Sequence, residues 1–421
     1  MGNNREASTT PSVLDSVRVL DFSHILAGPY CTRLLADLGA EVIKVEPPPE
    51  GELSRYAGLH YWWFCNCGKK SLCLDLRKEE SLEIIHKMAK KCDVVVESFR
   101  PGVIDRLGIG YASLKEVNPR IIMCSLSAFG QDSPYSRSPG TAVVAHAMSG
   151  IMWLQGKIVD PNGPPLPPPF AIGDIGASLH AVGAICAALY FRERTDSGQY
   201  IDISLIDSLF GMNDRVQQQM LQQEGLQSIS ATPIYAGKDG YVTIQGVGQV
   251  MLARLWKVMG RGELSADDRF DTIEHRTEHV DELNQIIEEW VQSFDSVRQV
   301  IPILEKADVV CAPILSIDEA SKHPHLAARK MLGEIDDPER GKVRVPNSAF
   351  RFSKTKSGIR GNPPRLGGHN LEILGLLLDY SAEKVVRLQD EGVIYSDLRG
   401  YSLEEIISME KWKENGLENR S

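Results

Sequence analysis

Within thirty residues the chain spells strand, helix, strand. "VRVLDFS" (17–23) is a run of β-formers, "GPYCTRLLADLGA" (28–40) carries helical apolar spacing and stops at Gly39, and "EVIKVE" (41–46) is extended again. Two strands joined by a helix lie parallel in one sheet, with a right-handed crossover. The pattern continues through "SLCLDL" (extended), "EESLEIIHKMAKK" (helical), "DVVVES" (a buried strand) and "RIIMCSLSA" (another). This predicts an α/β fold of the doubly wound type. Such sheets bind ligands beyond the carboxyl ends of their strands. Here those ends run into "DFSHILAGP", "KVEPP", "VESFRPG" and "CSLSAFG", loops rich in Gly, Pro and small polar residues.

The rest of the chain divides by composition. Residues 1–16 read as a disordered leader, and "GLHYWWFCNCGKKS" (58–71) as a long aromatic loop. "DPNGPPLPPPF" (160–170) cannot be regular helix or sheet. It leads into an Ala-rich helix, a strand at "QYIDISL", and one long helix through "SLFGMNDRVQQQMLQQ" that bridges out of the first domain. "TPIYAGKDGYVTIQG" then reads as two strands around a Lys-Asp-Gly turn. Helices follow near 249–259, 278–292 and 295–306, and a strand at "ADVVCAPILS". We therefore expect a large domain from 17–227 and 316–421 and a smaller α+β domain at 228–315. A hairpin-like stretch at "GEIDDPERGKVRVPNSAFRFS" and helices near 370–378 and 382–391 close the chain.

A net charge of −10 argues against a general nucleic-acid or anionic-membrane binder, though a few local cations suffice for a small anion. The eight cysteines sit mostly in apolar runs, as reduced buried thiols do. Cys65 and Cys67 form the one close pair, and His275 and His279 lack the glutamate of a metalloprotease helix, so no metal site is expected. The polar N-terminus is no signal peptide and no run of about eighteen apolar residues occurs, so we expect a cytoplasmic protein without a membrane span.

"HILAGPY" lacks the glycines of a dinucleotide fingerprint, and neither a Walker lysine motif nor a G-x-S-x-G elbow is present. Asp174, in "FAIGDIGASLHAVGAICAALYFRERT", stands between Gly173 and Gly176 at the start of an apolar helix. An aspartate there can cap the helix. It can also act as a nucleophile on an acyl centre, with glycines giving access and backbone donors for an oxyanion. Lys69, Lys70, Arg77, Arg100 and Arg106 fall in or beside the strand-end loops. That grouping suits a phosphate-bearing ligand, although isolated cations of this kind are usually just solvated.

"VRVLDFSHILAGPYCTRLLADLGAEVIKVEPP" resembles the opening of the class III CoA-transferases, which include formyl-CoA and carnitine CoA-transferases and α-methylacyl-CoA racemase. The likeness runs on through "GKKSLCLDL", "DVVVESFRPGVIDRLGIGYASLKEVNPRIIMCSLSAFGQDSPY", "GDIGASLHAVGAICAALYFRERTDSGQYIDISLIDS", "GKVRVPNSAFRFS" and "PRLGGHNLEIL". It implies a Rossmann-like large domain built from both chain ends, a small domain, and two chains interlocked as a dimer. It implies Asp174 as the nucleophile, passing through an aspartyl anhydride and an aspartyl-CoA thioester. No tightly bound cofactor is implied, since coenzyme A and acyl-CoA are substrates. The resemblance puts Leu74 and Arg77 near the adenine nucleotide, Ser98, Phe99 and Arg100 on CoA, Arg106 foremost on phosphate, and Ala27 and Gly28 at the pantetheine end.

Some positions depart from the pattern. Leu26 replaces a glutamine and Pro47 an arginine, and "QSISATPIYAGKDG" lacks a four-glycine loop, which points away from oxalate and formate. Thr141 replaces the racemase histidine, and His146 aligns with a non-catalytic position, which disfavours racemisation. Gly368 stands where a glutamate is usual. The expected activity is transfer of CoA from a donor such as succinyl-CoA to an organic acid. The alternatives are an acyl-CoA racemase or epimerase, and a CoA-binding subunit of a hetero-oligomer. Tyr61 to Phe64 and Leu26 hint at a bulky acid, or at packing in a dimer interface.

Overall fold

The computed structural model describes residues 10–223, 233–245 and 248–396. The chain forms two compact units, one drawn from Met1–Asn213 and Lys330–Ser421, the other Asp214–Arg329.

The larger unit is built on one sheet of six strands. These are β1 (Arg18–Asp21), β2 (Glu41–Glu46), β3 (Lys70–Cys73), β4 (Val94–Glu97), β5 (Ile122–Ser127) and β6 (Tyr200–Ser204). Their order is β3-β2-β1-β4-β5-β6, and every neighbouring pair is parallel. The central strands are buried on both faces, which is why β4 reads Val-Val-Val rather than alternating. Successive residues serve opposite faces. Val19, Val42, Val94 and Val96 pack under the helices Ala27–Asp37 and Ile172–Thr195. Leu20, Ile43, Val95 and Met123 pack with the helices Glu79–Ala89, Asn370–Leu378 and Ala382–Asp390. The second face is thus closed by residues from the far end of the chain.

Several expectations need correction. The leader is not wholly free, because Leu14 is buried in the first core and its amide bonds the Leu38 carbonyl at 3.0 Å. Residues 1–9 lie outside the described residues. The aromatic stretch is a helix, Leu59–Asn66, rather than a loop. It is apolar all round, so it carries no amphipathic period. Its aromatics are used inside this unit. Phe64 stacks on Tyr30 with centroids 4.6 Å apart, Arg55 lies 3.7 Å over the Trp62 ring, and Trp63 donates to Asp337 at 2.9 Å. The single bridging helix is two, Leu205–Gly211 and Arg215–Gln223, falling in different units. The helix Ile172–Thr195 is long and apolar enough, by length and composition, to cross a membrane, against the sequence expectation. Half of its apolar window is buried, and its inward face forms a layer of the sheet's core.

The hairpin Leu332–Asp337 and Gly341–Pro346 pairs antiparallel, as its pattern indicates. In the smaller unit, Ile234–Ala236, Tyr241–Ile244 and Cys311–Pro313 form an antiparallel sheet. Its core comprises Val242, Ile244, Leu255, Trp256, Val291 and Val300. This unit also takes in Arg215–Gln223, Ile317–Ser321 and Pro324–Ala328, which the sequence reading gives to the large domain.

Candidate active site

The strand order reverses direction between β1 and β4, and the loops leaving these strands face each other across the resulting crevice. The His24 amide donates to Ser98 Oγ at 3.1 Å, and the His24 and Phe99 rings lie 5.7 Å apart. Just beyond His24 sits Ile25, at φ 66°. A β-branched residue there is strained by roughly 1–3 kcal/mol. It is held by Glu52, whose carboxylate accepts the Ile25 amide at 3.0 Å.

Beneath the loop lies a buried ionic layer. Lys69 Nζ donates to Asp21 at 2.9 Å, Pro29 O at 2.9 Å, Thr32 Oγ1 at 2.7 Å and Asn66 Oδ1 at 3.0 Å. Lys44 Nζ donates to Ser23 O at 2.8 Å. Burial alone would raise the Asp21 pKa, but Lys44 and Lys69 outweigh it and hold this carboxyl well below the usual range. The layer fixes the start of the helix Ala27–Asp37. Gly28 sits so close to Ser23 that a Cβ would fall 2.2 Å from the serine's own Cβ.

The helix Ile172–Thr195 begins beside Ala27. Ser178 Oγ is shared between the Ala27 carbonyl at 2.6 Å and the Asp174 carbonyl at 2.7 Å. Both helices run back against the parallel strands, so their amino ends meet at the crevice. Asp174 is in the first turn but does not cap it. The capping position is Ala171, and no side chain caps there. The Asp174 carboxylate has no hydrogen bond or ion pair with any described residue. Burial, with no cation to offset it, pushes its pKa up to about 6. The Gly173 amide is not a free oxyanion donor, because it donates to His146 Nε2 at 3.0 Å. Gly176 leaves room for Met212, whose sulfur would lie 2.7 Å from an added Cβ.

The five cations separate by their partners. Lys69 is spent in the buried layer. Lys70 is held by Glu41 at 2.6 Å and Glu372 at 2.7 Å. Arg77 is exposed beyond β3 and paired with Asp75 at 2.8 Å. Arg100 and Arg106 are exposed, and their guanidinium groups have no partner among the described residues. Ser98 and Phe99 line the β4 side of the crevice, and Ala27 and Gly28 the β1 side. Leu74 is different. The whole residue is buried in the second core and its amide donates to the Glu46 carbonyl at 2.8 Å, so it offers a ligand no exposed surface and the expected CoA contact there is not available. His146, set aside in the sequence as aligning with a non-catalytic position, is brought to this turn by the fold. It lies 27 positions before Gly173, and no spacing rule links them.

A family model described as CoA-transferase family III matches residues 14–370. The chain belongs to CoA-transferase family III. It is accordingly an enzyme of the CoA-transferase type. It is 34% identical over 401 residues to the succinyl-CoA–D-citramalate CoA-transferase of Chloroflexus aurantiacus, covering 91% of this chain and 98% of that protein. It is 33% identical over 398 residues to the alpha subunit of the succinyl-CoA–L-malate CoA-transferase of Chloroflexus aurantiacus, covering 90% and 92%. The fold is similar to that of a CAIB/BAIF family protein from Brucella suis, with TM-score 0.76, 32% identity, and 87% and 100% of the two chains covered. Family III enzymes therefore frame the chemistry available to the crevice.

Proposed function

We propose that this CoA-transferase moves CoA from a donor acyl-CoA of the succinyl-CoA class to an organic carboxylic acid, with Asp174 as the nucleophile. The observation that carries this reading is the unpartnered Asp174 carboxylate at the meeting of two helix starts. At neutral pH it is mostly ionised yet poorly solvated, the condition for attack on a thioester.

The steps balance without an added reagent. A carboxylate oxygen of Asp174 adds to the donor thioester carbonyl, the C–S bond breaks, and CoA thiolate leaves a mixed anhydride. The thiolate adds to Asp174 Cγ, expelling the donor acid as carboxylate and forming the aspartyl-CoA thioester. The acceptor carboxylate then adds at Cγ, and CoA thiolate leaves again. Finally the thiolate takes the acceptor acyl group, and Asp174 returns as a carboxylate. Helix amino ends favour the negative charge that develops at each step. Arg100 and Arg106 hold CoA phosphates, and Arg77 lies toward the adenine end.

The two relatives are named for C4–C5 hydroxy-dicarboxylates, which supports an acceptor of that class. Assembly is an interlocked dimer, with itself or with a related subunit. The alpha-subunit relative supports the second form. The exposed apolar face of the long helix, with Leu179, Tyr190 and Phe191, supports either. The test is incubation with a panel of acyl-CoAs and no acceptor, followed by hydroxylamine and peptide mass spectrometry. Hydroxamate at Asp174, absent in Asp174→Ala, is expected. No adduct from any acyl-CoA, with deuterium washed into a substrate α-carbon, would point to racemisation instead.

A further inference from the structure

We propose that His146 is the positioning residue of this site. A neutral imidazole holds the Gly173 amide through its Nε2 lone pair, and so fixes the turn from which Asp174 projects. The inference rests on Asp174 being the nucleophile.

The amino end of a helix leaves amide donors without partners, and a capping side chain usually accepts one of them. Here the capping position is Ala171, which has no acceptor. The Gly173 amide is instead taken by a residue of another helix, Ala142–Met148, at 3.0 Å. His146 is only 5% exposed. Nε2 accepts, so it carries no proton, and the ring proton of the neutral form sits on Nδ1. Burial works in the same sense, lowering the ring's affinity for a second proton.

Gly173 makes the approach possible. A Cβ there would lie 3.1 Å from His146 Nε2 and 3.1 Å from Leu209 Cδ1. The turn is therefore held twice, by His146 on the Gly173 amide and by Ser178 on the Asp174 carbonyl. The reaction asks much of this turn, because Asp174 attacks once and its Cγ is then attacked from CoA and from the acceptor. Each step needs near-attack geometry, and an error of about 1 Å costs about a hundredfold. The same bond occupies the lone pair that His146 would need to abstract a substrate α-proton.

The experiment compares wild type, His146→Leu and His146→Gln. Glutamine offers a non-titrating oxygen acceptor. Three quantities are read: the rate of Asp174 adduct formation by mass spectrometry, kcat and KM for the acyl-CoA, and hydrogen exchange at the Gly173 amide. His146→Leu should slow adduct formation and kcat by at least about tenfold, with KM within about twofold. Gly173 exchange should rise by at least about tenfold. His146→Gln should recover most of both. If His146→Leu forms the adduct at the wild-type rate, or if His146→Gln is folded and as impaired as His146→Leu, the positioning role is overturned. If wild type itself forms no Asp174 adduct, the nucleophile reading fails and carries this inference with it. A normal wild-type adduct beside an unaffected His146→Leu overturns the inference alone.

Discussion

Glu97 ends β4 at the crevice and is 2% exposed. Its carboxyl accepts the Phe99 amide at 2.7 Å, which shapes the loop carrying Ser98, Phe99 and Arg100. Burial pushes its pKa from an ordinary 4.5 to about 7. Ser125 and, after it, the Phe99 amide pull it back only in part, and Asp105 and Asp202 add to the rise. The group is therefore buried most cheaply when protonated. Its contribution to stability is full below about pH 4.5 and is lost as the pH rises through 7. A gap of about 2.5 pH units, at about 1.36 kcal/mol each, amounts to about 3 kcal/mol.

Glu97→Gln keeps an oxygen acceptor for Phe99 and removes the charge. It should therefore stabilise the larger unit at pH 8 by about 3 kcal/mol and change little at pH 4.5. For a unit of about 300 residues, at about 2.1 cal/mol/K per residue, that corresponds to a Tm gain of about 5 °C. The assay is thermal unfolding of both proteins from pH 4.5 to 8.5. Comparing the two cancels the other acids with raised pKa, Asp37, Asp174 and Asp202, which act in the same sense. Parallel Tm curves across the whole range would refute the reasoning, because they would mean that Glu97 is charged and well solvated in the native state.

Three further outcomes are expected. The Asp174 carboxyl must be ionised to attack and its pKa lies at about 6, so kcat/KM should fall on acidification with its midpoint near there. A profile flat from pH 5 to 8 would contradict it. Arg106→Ala should raise KM for acyl-CoA by about tenfold and leave kcat within about twofold, since a phosphate contact is uniform binding. An unchanged KM in the Arg100→Ala, Arg106→Ala double variant would remove both from the CoA site. Lys69→Met strips the buried cation from Asp21 and should cost about 3–5 kcal/mol, read by denaturant melts. A loss below about 1 kcal/mol would mean that the ionic layer is not structural.

The parallel sheet was legible because its strands are apolar runs set at βαβ spacing, and Val94 to Val96 can hardly be anything but a strand buried on both faces. The aromatic helix was not legible, because Leu59–Asn66 is apolar on every side and periodicity is then silent. Charge was half legible. Lys69 and Arg106 look alike in sequence, and their fates differ only through partners far along the chain. Asp21, 48 positions earlier, claims the lysine, while no described residue claims the arginine. The same argument separates Asp174 from His146. An aspartate set among glycines with no cation nearby in sequence keeps that isolation in the fold, so this feature of its surroundings is visible in its own neighbours. A histidine that acts by accepting one amide 27 positions away leaves no trace there. Local isolation can thus be read from sequence, whereas a contact between distant positions waits for the fold.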